Sequence, residues 1–166
     1  MIRQELNIDR LSPALLAVAE AVDSMTPVMQ DIGEYLLTST RERFPKGEAP
    51  DGSKWAPKSP ATLEAYGARK SNRVDTRPLF GPTGLLSQQI FYQARPNEVE
   101  WGSNRIYAAV MQLGAGKGAF GTTSRGSPIP WGNIPARPYL GLSAEDETQI
   151  VAILSDYLQT AANGGA

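Results

Sequence analysis

The 166-residue sequence predicts a single α+β domain, residues 1–166. It should hold a small antiparallel sheet, N- and C-terminal helices and two long irregular loops. Three observations predict this. Apolar residues recur at helical spacing near both ends. One short stretch in the middle alternates strictly. Two segments, 45–82 and 114–134, are dense in proline and glycine and far longer than ordinary connections.

Ser12-Pro13 gives a helix cap followed by proline at the first helical position. Leu15, Leu16, Val18, Ala19 and Val22 then form an apolar stripe. Thr26-Pro27 repeats the start signal. Met29, Ile32, Leu36 and Leu37 follow, and the pattern should stop at Phe44-Pro45. Inside the first long segment, which carries six prolines, Ser59-Pro60 can start a short helix through Tyr66.

"QQIFYQA" sets Ile90, Tyr92 and Ala94 against Gln89, Phe91 and Gln93, and "EVEW" sets Val99 and Trp101 against Glu98 and Glu100. Arg95-Pro96-Asn97 is a turn between them, so the stretch reads as a hairpin. Asn104 is the expected cap of a short helix burying Ile106, Tyr107, Val110, Met111 and Leu113, with Gly114 as its stop. Residues 114–134 hold six glycines and little to bury except Phe120, Ile129 and Trp131. An extended segment around Pro138–Leu142 leads to a last helix. Ser143 caps it, Glu145, Asp146 and Glu147 suit the dipole of its first turn, and Ile150, Ile153, Leu154, Tyr157, Leu158 and Ala161 face inward.

The chain contains no cysteine and no histidine. Disulfides, thiolate nucleophiles, His/Cys zinc sites and imidazole-based triads are therefore excluded. A net charge of −1 gives no general pull toward nucleic acid or anionic membrane. No apolar run approaches the ~20 residues of a membrane span, and the first residues lack a signal peptide's apolar core, so folding in a cytoplasm is expected.

The remaining catalytic candidates read better as structure. Glu48 and Asp51 beside Trp55 resemble a sugar-cleaving carboxylate pair, but Asp51-Gly52 reads as a turn and Trp55 as a loop anchor. Glu145, Asp146 and Glu147 point different ways on one helix and make a poor Mg²⁺ cage. "GAGKGAFG" at 114–121 lacks the Gly-Lys-Ser/Thr ending of a Walker loop and follows a helix rather than a strand. No catalytic residue, cofactor or metal is expected.

Charge is uneven. Residues 1–44 hold four basic and seven acidic side chains, and residues 45–82 hold seven basic and four acidic. Lys117, Arg125 and Arg137 are the charged residues of 114–137, and after Arg137 there is no base at all. Acidic helices and basic loops suit a head-to-tail contact between copies, which closes into a ring if the rotation is right. The proline-bracketed corner "NIPARPYLGLS" is expected to aim Arg137 at a neighbouring carboxylate or carbonyl, while Tyr139 and Leu140 lock it to the core.

Four stretches in this order, "RFPKGEAPDGSKWAPKSPATLEAY", "PLFGPTGLLSQQI", "VEWGSNRIYAAVMQLG" and "IPARPYLGLSAED", resemble the phage virion morphogenesis family, the Mu-like group of tail completion proteins. The likeness covers roughly residues 41–158. Met111-Gln112-Leu113 stands where that family often carries histidine, a departure that touches no proposed chemistry. The resemblance implies a structural protein of the tail or neck, assembled in the host cytoplasm and acting at the head–tail junction as a homohexameric ring. Its implied partners are itself and other tail and neck proteins, with DNA passing non-specifically nearby and no membrane. The expected interface residues are Trp55, Phe80, Phe120, Arg125, Trp131 and Arg137. Residues 45–82 and 114–134 are expected to order only against neighbours. Two other functions compete with this one: a tail-associated peptidoglycan hydrolase using Glu48 or Asp51, and a DNA-contacting neck or packaging factor using the basic loops.

Overall fold

The computed structural model describes residues 13–23, 25–68, 75–81 and 83–163. The expected cap Ser12 and the cations Arg69, Lys70 and Arg73 lie outside the described residues. The elements run α1 (Pro13–Asp23), α2 (Thr26–Lys46), α3 (Pro60–Gly67), α4 (Leu85–Gln88), β1 (Phe91–Arg95), β2 (Glu98–Gly102), α5 (Ala108–Leu113) and α6 (Ala144–Ala162). This is the expected α+β fold, with helices around one two-stranded antiparallel sheet.

α2 is the spine. It runs two residues past Phe44, with Pro45 inside its last turn, and ends at Gly47 in the left-handed region (φ 67°). Thr26 is its first residue and not its cap; Met25 stands at the N-cap without a side-chain bond. Val28, Ile32 and Leu36 at one end pack with Val99 of β2, with Ile150, Ile153, Leu154 and Tyr157 of α6, and with Met25 and Tyr35. Phe44 at the other end packs with Trp55, Leu79, Leu86, Ile90, Ala108 and Tyr139. From Ile32 to Phe44 is about 18 Å along the axis. Trp101 of β2 touches both clusters.

The hairpin forms as expected, with Tyr92 opposite Trp101 and Ala94 opposite Val99, and these four turn inward while Phe91 is exposed. Tyr92 explains a glycine inside α2. A Cβ on Gly33 would lie 2.2 Å from the Tyr92 ring. The missing side chain lets strand and helix close together.

α3 is capped by Ser59, which accepts from Thr62 N, as its sequence indicates. α5 departs from expectation. It begins at Ala108 without a side-chain cap, and Ile106 and Leu113 face solvent at 98 % and 76 % exposure. In α1 the inward side holds Leu16 and Val18, while Leu15 and Val22 are exposed.

Candidate interface and the corner behind it

Past Ile134, which bridges to Ala115, the corner at 135–141 pairs with no strand among the described residues; its backbone is held mainly by side chains from three other parts of the chain. Arg137 N donates to Met111 O at 2.8 Å. Gln112 Oε1 accepts from Tyr139 N and Leu140 N, at 2.9 and 3.0 Å, and Gln112 Nε2 donates to Leu140 O. Trp55 Nε1 donates to Pro138 O at 2.8 Å. Arg43 Nη1 donates to Tyr139 O and Gly141 O, at 3.0 and 2.8 Å. An extended segment without a ladder must satisfy its polar groups elsewhere. The stretch "IPARPYLG" does so with Gln112, Trp55 and Arg43. Gln112, taken from sequence as a neutral departure, is one of the corner's main supports.

Arg43 also pairs with Asp146, whose side chain is 1 % exposed. The Asp146 carboxylate accepts from Tyr35 Oη, Ser39 Oγ, and Ser143 N and Oγ. Burial alone would raise its pKa. Hydrogen bonds from Ser39 and Ser143 and the charge of Arg43 outweigh burial and hold the carboxyl below its ordinary value. Tyr35 is pushed up to about 12, first by burial and then by its bond to Asp146. Asp146 completes a capping box with Ser143, so it does more than complement a dipole.

Arg137, expected at an interface, lies instead inside its own chain. It is 6 % exposed, with Nε donating to Ala56 O at 2.8 Å and Nη2 to Pro57 O at 2.9 Å. The prolines do aim it at carbonyls, but at carbonyls of its own chain. Burial lowers its pKa from the ordinary guanidinium value. Trp55 is also inward. Its ring meets Phe44 edge-on, with centroids 5.7 Å apart. Phe80 packs on Phe44 from the half-buried rim, with the Arg77 guanidinium 3.6 Å above its ring. Residues 45–82 thus contribute Trp55, Leu79 and Phe80 to the chain's own core. Lys58, also buried, donates to Asp75 O and Phe80 O and ties the segment's two ends together. Burial lowers its pKa.

Phe120, Arg125 and Trp131 are exposed, Trp131 at 76 %. Their segment is an irregular two-armed ribbon and not a structureless loop. Ala115 and Ile134 exchange both backbone bonds, Phe120 N donates to Ile129 O, Ile129 N to Gly121 O, and Thr123 N to Ser127 O. At its base a Cβ on Gly114 (φ 76°) would come 2.8 Å from Ile134 O and Ala136 N. Only glycine fits there. The ribbon therefore orders its backbone with itself and leaves its large side chains outside. Of the six expected interface residues, the fold brings Phe120, Arg125 and Trp131 together on one exposed feature.

The carboxylates weighed for catalysis serve local structure. Glu48 pairs with Lys54 at 3.0 Å across a turn, and Asp51 accepts from Ser53 N within it. Asp51 and Glu48 line an open groove of about 530 Å³ with Tyr35, Arg43 and Glu145. No group of three or more acidic residues could hold a metal among the described residues. The Lys117 N–H donates to Asn133 Oδ1. No described helix is long and apolar enough to cross a membrane.

This chain resembles a known protein in sequence. It is 29 % identical over 160 residues to "Mu-like prophage FluMu G protein 2" of Haemophilus influenzae, a match covering 96 % of this chain and 97 % of the relative. No solved structure matches it. The model of the phage virion morphogenesis family matches residues 6–159, nearly the whole chain. With the corner, the hairpin and most of the acidic last helix inside that match, the chain belongs to the phage virion morphogenesis family.

Proposed function

We propose that the protein is a ring-forming subunit that completes the tail of a phage particle or joins the tail to the head. Membership of a virion morphogenesis family gives the coarse role, assembly of the particle. The observation that favours a ring subunit within that role is the 114–134 ribbon. It is a self-paired arm that carries Phe120 and Trp131 outside the core and has no acidic residue. Exposed aromatics on such an element mark a partner surface. The subunit's own fold consumes Trp55 and Arg137, so the interface lies on the ribbon and its surroundings and not on the corner.

Counting copies in purified virions tests this. Quantitative mass spectrometry against a known capsid protein should find about one ring's worth, near six. Hundreds of copies would indicate a tube or shell protein. Absence from the particle would indicate a scaffold, and the ring proposal would fall.

A further inference from the structure

We infer that each subunit lays the outer side of α5 and its ribbon on the α1–α6 face of the next copy. This contact deepens the ring proposal and rests on it. The donor side begins at Ile106 and Leu113. The backbone already winds at Arg105, because Ala108 N donates to Arg105 O and Met111 N to Tyr107 O. Residues seven apart on such a path share a side. Ile106 and Leu113 are both exposed, and the ribbon that follows α5 adds Phe120 and Trp131. Arg105 precedes this side with no carboxylate partner among the described residues. Lys117 and Arg125 are the ribbon's cations, and no Asp or Glu occurs anywhere from Trp101 to Ala144. The occupant must therefore bring acid together with apolar surface. A nucleic-acid backbone supplies the charge but nothing to cover Ile106 and Leu113.

The same chain carries that complement. α1 packs on α6, and neither helix has a basic residue. Exposed Leu15, Val22 and Asp23 share the outer side of α1, and exposed Val151 stands one turn from exposed Glu147 on α6. The α1–α6 face belongs to the Ile32 end of α2, and α5 belongs to the Phe44 end. Two different surfaces that complement each other make a heterologous contact, the kind that closes into rings.

Charge exchange tests it. One variant carries Lys117→Glu with Arg125→Glu. The other carries Asp23→Lys with Glu147→Lys. None of the four side chains takes part in an ion pair or side-chain hydrogen bond among the described residues, so both variants should melt as the wild type does. By sedimentation, the wild type should associate with rising concentration. Each variant alone should associate on the order of tenfold more weakly or worse, because like charges then meet. Mixed in equal amounts, the two should assemble again, since each now complements the other. If the wild type assembles and both variants still do, or if the mixture stays dissociated, this contact is overturned while a ring by another surface stands. A wild type that stays monomeric at every concentration sinks both the contact and the ring. Loss of DNA binding in the first variant with unchanged assembly would assign the ribbon to DNA and overturn the contact.

Discussion

Arg43 and Asp146 lie 103 positions apart and form one buried ion pair, which fastens α2 to the first turn of α6. Arg43 has a second duty toward Tyr139 O and Gly141 O, so a single guanidinium closes both the helix pair and the corner. Removing one partner of a buried pair leaves the other uncompensated, which costs about 3–5 kcal/mol. Arg43→Ala and Asp146→Asn should each lower the melting temperature clearly. Arg43→Ala should cost more, because two carbonyls lose their donor as well.

Acid should reveal the same pair. The folded state holds the Asp146 carboxyl below its ordinary value. Its contribution is therefore complete above the ordinary carboxylate pKa of about 3.9 and fades as pH falls below that value. Melting curves of wild type and Asp146→Asn should differ most near neutrality and converge in acid. A gap independent of pH would mean that Asp146 stabilises by shape and not by charge.

Arg137→Ala should damage folding before assembly. The Ala56 and Pro57 carbonyls would lose charge-assisted hydrogen bonds, each worth about 1.5–3 kcal/mol. Thermal melting reads this directly. Unchanged stability with poor assembly would show instead that Arg137 leaves its pocket to reach a neighbour.

Gly33→Ala would normally help a helix by about 1 kcal/mol. Here it should destabilise by about 1–3 kcal/mol, because its methyl group meets the Tyr92 ring. Made together with Tyr92→Ala, the same change should lose its penalty. A double-mutant cycle in urea measures the coupling.

Two tryptophans should behave oppositely. Trp55→Ala empties a core position against Phe44 and frees the Pro138 carbonyl, and should cost about 3–5 kcal/mol. Trp131→Ala touches a side chain already in solvent and should stay within about 0.5 kcal/mol of wild type. Its effect should appear only when subunits meet.

The elements were legible where local chemistry decides them. Ser59-Pro60 and Ser143 announce their helices, and the alternation of Tyr92 and Ala94 against Phe91 and Gln93 announces the hairpin with its faces correct. Periodicity failed at Ile106, Leu113, Leu15 and Val22, because apolar spacing gives the side of a helix and not whether anything covers it. The ribbon was missed because its pairing is carried by backbone around turns, without an alternating pattern. Arg137 misled for a related reason. A cation between prolines reads the same whether its carbonyl acceptors belong to a neighbour or to Ala56 and Pro57. The Arg43–Asp146 pair left no local signal at all, since nothing near either residue names a partner 103 positions away.

That distance also sets a timetable. During synthesis, at about 5–20 residues per second, Arg43 waits on the order of 5–20 seconds for Asp146 to be made. Throughout that interval α2 has no α6 to pack on Ile32 and Leu36, and the corner's carbonyls are not yet fastened. The basic ribbon is translated before the acidic helix that the next copy would grip. On the contact proposed above, the acceptor face would therefore be complete only when synthesis is, so no chain could receive a neighbour before its own α6 has closed on α2.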